Sequence, residues 1–221
     1  MSAKTAAGFR NDESGAVFVE MTAAILTFFL LIFGVVEFSY VFYQWNAANK
    51  AVQWGARLAA VSNPVASNLT SLTGLEPGTN IPGEAMPDYY CTCKYSAGAW
   101  ACSGTVPTNA TACTYDDAAM TVIFLGRGND GTHCVDGVNA GMCRFLPGLK
   151  KTNIVVDYRF TGLGYAGRKA GPVPTITVSL QGIKYEFLFL SGLAGLTALN
   201  FPYTATTTVT GEDLKVSWSG S

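Results

Sequence analysis

Gly15 and Glu20 are the first residues in this chain whose types and spacing can do chemistry. Cleavage after Gly15 would make Ala16 the first residue of a shortened chain and Glu20 its fifth. The carboxylate stands at the head of an apolar run, where an ionisable group is costly and signals function. A partner charge would make it tolerable, and the α-amino group of a neighbouring copy's Ala16 is such a partner. The second chemical set is Cys91, Cys93, Cys102, Cys113, Cys134 and Cys143. An even number clustered in a Gly/Ser/Thr-rich stretch reads as disulfides formed in an oxidising compartment. Loop lengths suggest Cys134–Cys143 as one bridge, with the other four sharing two, and each bridge is worth about 2–4 kcal/mol. Zinc fits poorly. Structural sites prefer two to four residues between paired cysteines, Cys91-Thr92-Cys93 has one, and His133 is the sole histidine.

A membrane helix must position Glu20. Residues 16–43 carry no charge except Glu20 and Glu37, and no proline. A bilayer takes about 20 apolar helical residues, so the run suffices. A cleaved secretory signal would need a basic n-region, a shorter apolar stretch and a small-residue cleavage site after it. A glycine, four residues and a glutamate before a membrane-length run is instead the order of a type IV prepilin, with residues 1–15 as leader. Lys4 and Arg10 precede the run beside Asp12 and Glu13, so the positive-inside rule orients it only weakly. The cysteines orient it better, with the N-terminus cytoplasmic and the C-terminal part periplasmic. Tyr40, Tyr43 and Trp45 fit an aromatic belt at the far interface. Glu37 is expected in the solvated interface nearby.

Helical patterning continues past the membrane. Asn46–Val61 is alanine-rich, with no proline and one glycine. Ala47, Ala51, Gly55 and Ala59 recur every fourth position, a small-residue ridge on one face that admits another backbone closely. Either the chain's own domain or another subunit could pack there. One helix from Ala16 to Val61 would be about 69 Å long at about 1.5 Å per residue. Asn63-Pro64 should stop it, because the residue before proline leaves helical space.

These features together resemble the TadE-like family of the tight-adherence (Tad/Flp) pilus system, over Gly15 to about Val61. The residues carrying the resemblance are Gly15-Ala16-Val17-Phe18-Val19-Glu20, the block Phe33-Gly34-Val35-Val36-Glu37-Phe38, and the alanine-rich segment 47–60 with Gly55-Ala56-Arg57. The run Tyr203–Glu212 is similar more loosely. The resemblance implies a minor pseudopilin, cut by a dedicated prepilin peptidase and needed for assembly with other pseudopilins and pilins without forming the shaft. The chain is far longer than a major pilin of that system.

Composition bounds the rest. The chain has 221 residues, a net charge of −1, 49% hydrophobic and 13% charged residues. No basic run points to nucleic acid. Residues 63–221 suffice for one compact domain and have β composition with many turns. Ile154, Val156, Tyr158 and Phe160 alternate on one face, and Thr175–Leu180 alternates strictly. Ile183, Tyr185, Phe187 and Phe189 continue that pattern after Gly182, a turn or bulge. Ala119–Leu125, Tyr203–Thr210 and Leu214–Trp218 are weaker strand candidates, and Val65–Asp88 reads as loop. The fold class expected is therefore α+β and pilin-like. Its parts would be the leader 1–15, a transmembrane helix 16–43, its extension 44–62, and a periplasmic domain 63–221 with an antiparallel sheet and a disulfide-bonded insert, 91–143.

Enzymatic features do not assemble. Gly126–Gly131 and Gly162–Gly167 match Gly-x-Gly-x-x-Gly, but Gly171-Pro172-Val173-Pro174 follows the second and the cysteine region follows the first. A dinucleotide site needs a strand before and a helix after, so both are turns. Asp116-Asp117 would point to opposite faces of a strand, which suits solvation better than acid–base catalysis. No cofactor, metal or small-molecule substrate is expected. The partners expected are the peptidase, pilus subunits and the lipid bilayer, at a bacterial inner membrane. The competing reading is a single-pass, membrane-anchored binding module, adhesin-like and never processed.

Overall fold

The computed structural model describes residues 13–76, 78, 80–169, 171–184 and 205–211. It divides into two units, one holding the first helix through Tyr43 and the other beginning at Gln44.

Helix α1 spans Glu13–Ala60, unbroken because no proline interrupts it, and ends ahead of Pro64. Through Phe33 its large apolar side chains are exposed all round, from Val17 (63%) and Phe18 (76%) to Leu31 (64%). A helix apolar on every face belongs in lipid, and α1 is long and apolar enough to cross a membrane. Its hydroxyls are satisfied within the helix: Thr22, Thr27 and Ser39 donate to the carbonyls of Phe18, Ala23 and Val35 at 2.7, 2.9 and 2.8 Å. Glu37 departs from the interfacial solvation expected of it. It is 2% exposed, on the helix stripe where Gly34, Val41 and Gln44 are also partly covered.

In the second unit, strands β1 (Tyr90–Ser96), β2 (Ala99–Thr105), β3 (Ile154–Arg159), β4 (Thr175–Leu180) and β5 (Thr206–Thr210) form one antiparallel sheet, ordered β2-β1-β3-β4-β5. The expected alternation in β3 and β4 holds: Ile154, Val156, Tyr158, Ile176, Val178 and Leu180 are buried. Cys91 and Cys93 extend this buried face onto β1. The opposite face is polar. One row crosses all five strands as Ser103, Thr92, Asp157, Thr177 and Thr208, with Thr92 donating to Asp157 and the Thr177 and Thr208 hydroxyls 3.1 Å apart. A one-residue slip would exchange the two faces, so the alternation fixes the register.

The cysteine-rich region begins inside the sheet. The β1–β2 hairpin is part of the sheet, turned by Ala97 and Gly98 at φ 50° and 86°, the left-handed pair that a two-residue hairpin turn requires. Ala119–Leu125 is not a strand. It lies in helix α2, Asp117–Leu125. Asp116 caps it, accepting from the backbone N–H groups of Ala118 and Ala119 at 2.8 and 3.1 Å. Ala119, Met120 and Ile123 are buried, a helical rather than an alternating spacing. The adjacent aspartates thus divide their work. Asp117 meets Lys151 Nζ at 2.7 Å, and that hydrogen bond leads the causes that lower its carboxyl below the usual range. Asp116→Ala should cost about 1 kcal/mol by loss of the cap, read as a lower denaturation midpoint of the full chain in detergent.

The β4 run stops at Leu180. Gln181 N–H turns back to Asn153 O at 2.7 Å, and Gly182 adopts φ 65°, leaving Ile183 outside the strand. Tyr185, Phe187, Phe189, Tyr203 and Leu214–Trp218 lie outside the described residues. The described residues of Val65–Asp88 are loop apart from a 3-10 turn at Ser67–Ser71 and an isolated bridge residue at each end, Ala66 and Ala85. At its start Val65 N–H donates to the buried Tyr158 hydroxyl at 2.9 Å. Both Gly-x-Gly-x-x-Gly runs are turns, with positive φ at Gly126, Gly128, Gly131, Gly162, Gly164 and Gly167.

Candidate functional site

The site sequence reasoning favours is the start of α1. Gly15 and Ala16 lie in the helix and are exposed. Glu20 is exposed on the same helix, one residue from Val19 (70%) and Met21 (63%). Among the described residues, no hydrogen bond or ion pair reaches its carboxylate. The neighbouring hydroxyl of Thr22 bonds back to the helix, so Glu20 differs in kind from the other polar groups there. In lipid such a group needs snorkelling, water or a charged partner.

The small-residue ridge lies farther along α1, in the second unit. Ala51 and Ala59 are fully buried, Gly55 is buried, and Ala47 is half-buried. A Cβ built on Gly55 would overlap the Met142 sulfur. This part of the ridge therefore seats the chain's own loop, in the 3-10 turn Met142–Arg144. Beside it Trp54 donates its indole N–H to Ala140 O, and its ring lies 5.3 Å from that of Phe145. Sequence reasoning missed this contact. The small side chain opposite a thioether was legible only as a gap.

The six cysteines form three bridges: Cys91–Cys113, Cys93–Cys102 and Cys134–Cys143. None is free, so none remains to ligate zinc. Cys93 and Cys102 are direct partners across the hairpin. Cys91–Cys113 ties β1 to the segment preceding α2.

The second unit also holds a cavity of about 460 Å³ at the C-terminal end of α1, lined by Val61, Ser62, Val122, Arg127 and Asn139 among others. Among its described lining residues the one charged group is Arg127, which donates to Val61 O and lies 3.4 Å from the Ser62 hydroxyl. A basic side chain beyond the end of a helix bonds its last carbonyls in this way. His133 and Asp130 pair at 2.6 Å on an exposed turn, with no second imidazole in the chain.

A model of the family described as TadE-like protein matches residues 15–57. The match opens on the glycine of the proposed cleavage and closes on the arginine of Gly55-Ala56-Arg57. No curated protein and no solved structure matches the chain. Over residues 15–57, which take in Glu20, the apolar span and most of the small-residue ridge, this chain is similar to TadE-like proteins.

Proposed function

We propose that this chain is a minor pseudopilin that takes part in initiating, capping or extruding a Tad/Flp-type pilus used in surface adherence. A prepilin peptidase removes residues 1–15 and exposes the α-amino group of Ala16. Glu20 then pairs with that group on an adjacent subunit as the protein joins other pseudopilins and pilins. α1 anchors it once in the inner membrane, with its N-terminus cytoplasmic and the domain from residue 63 periplasmic. The observation that carries the reading is Glu20 itself: a carboxylate with no partner among the described residues, on an exposed apolar helix, five positions after Gly15. The three disulfides support the periplasmic assignment, since such bridges persist in oxidising compartments.

N-terminal sequencing of the protein from native membranes, with and without the peptidase, tests this. The expected result is a mature start at Ala16 that requires the peptidase. An intact leader in both strains would overturn the reading in favour of an anchored binding module.

A further inference from the structure

We propose that Cys134–Cys143 is a thiol-exchange site, the one bridge of the three at which the thiolate of a small thiol or a protein dithiol enters. This goes beyond the pilus reading and does not depend on it. Cys134 is exposed and Cys143 is half-buried. The other bridges each have one sulfur-bearing residue at 0% exposure, Cys91 and Cys93. Exchange forms a bond from the attacking sulfur to one cysteine and expels the other as thiolate. Attack on Cys113 or Cys102 would expel Cys91 or Cys93 into the dry face of the sheet, where a thiolate is disfavoured. Attack on Cys134 expels Cys143 at the surface side of the loop. There the leaving electron pair takes a proton from water. A second thiol then releases Cys134 and leaves as the oxidised disulfide, so two thiols are oxidised for each bridge opened.

The bridge sits where opening it has a consequence. Cys143 lies between Met142, seated over Gly55, and Phe145, packed on Trp54. The other end of the loop is held by Val135 N–H on Leu125 O at 2.8 Å. With the bridge intact, the residues between are tied to that anchor and to α1 together. With it open, the helix contact loses its covalent tether, and Trp54 loses the restraint on its Ala140 hydrogen bond.

The test treats the full chain in detergent with glutathione in one arm and a Cys-x-x-Cys dithiol protein in the other. Timed alkylation and peptide mass mapping follow. Cys134 and Cys143 should be labelled at least about tenfold faster than the other four cysteines, in either arm. Opening only by the dithiol protein would still support the site and identify its source as a protein. Labelling of all six together, or of the Cys91 or Cys93 bridge first, overturns it. The Trp54 contribution to fluorescence, taken by difference from W54F, should shift as the pair is labelled. An unchanged contribution overturns the link to the helix.

Discussion

Glu20→Ala should reduce surface pili by at least about tenfold while leaving the protein abundant in the membrane. Two free energies set this. A carboxylate within the bilayer costs about 2.5–3.5 kcal/mol on insertion scales, and a charge partner in the assembly returns part of that cost. Alanine removes both terms. The free subunit becomes more comfortable in lipid, and the assembled one loses its reward. Each 1.4 kcal/mol is about a factor of ten in an association constant, so losing about 2 kcal/mol per contact exceeds tenfold. Glu20→Gln should behave similarly, because the amide keeps the shape without the charge. The measurement is pilus counting by electron microscopy beside an immunoblot of membranes. Normal piliation in both variants would show that the charge pair plays no part. Loss of the protein from the membrane would locate the defect in insertion instead.

The legible parts of this molecule were those in which one physical pattern acts alone. α1 could be read because an uninterrupted apolar run with back-bonded hydroxyls has one solution in lipid. β3 and β4 could be read because Ile154, Val156, Tyr158 and Ile176, Val178, Leu180 keep a strict period of two. The errors arose where two signals compete. Ala119–Leu125 is a short apolar run, which periodicity cannot assign, and the deciding residue was the cap at Asp116. The hairpin from Tyr90 to Thr105 is masked in the sequence by its cysteines, because an even cysteine set reads as bridges before Ala97-Gly98 reads as a turn. Cys91, Cys93 and Tyr95 alternate, and with that turn they were a readable hairpin signal. Glu37 could not be read, since what covers a residue is set by tertiary packing. The candidate site divides in the same way: Gly15 and Glu20 are a local spacing, whereas Gly55 against Met142 joins residues far apart in the chain.

Gly141→Ala should be among the most damaging single methyl additions in the second unit, costing about 4 kcal/mol or more, in the tail where overpacking is exceptional. Its backbone is ordinary, φ −90° and ψ 177°, so alanine meets no conformational penalty there. The obstacle is space. A Cβ would overlap the carbonyl carbon of Leu125, the oxygen of Phe124 and the nitrogen of Gly126, all backbone at the end of α2. Backbone cannot swing aside as a long side chain can, and Gly126 and Ala140 are bridged at that point. Gly131→Ala provides the contrast. It adopts φ 83° with open space around it, so its cost is conformational, about 1–2 kcal/mol. Thermal denaturation of the two variants in detergent separates the causes. Equal midpoints would refute the close crossing of chain at Gly141. A large deficit for Gly141→Ala alone would mean that the loop carrying Met142 and Phe145 reaches α1 only because two strands of backbone touch there without a side chain between them.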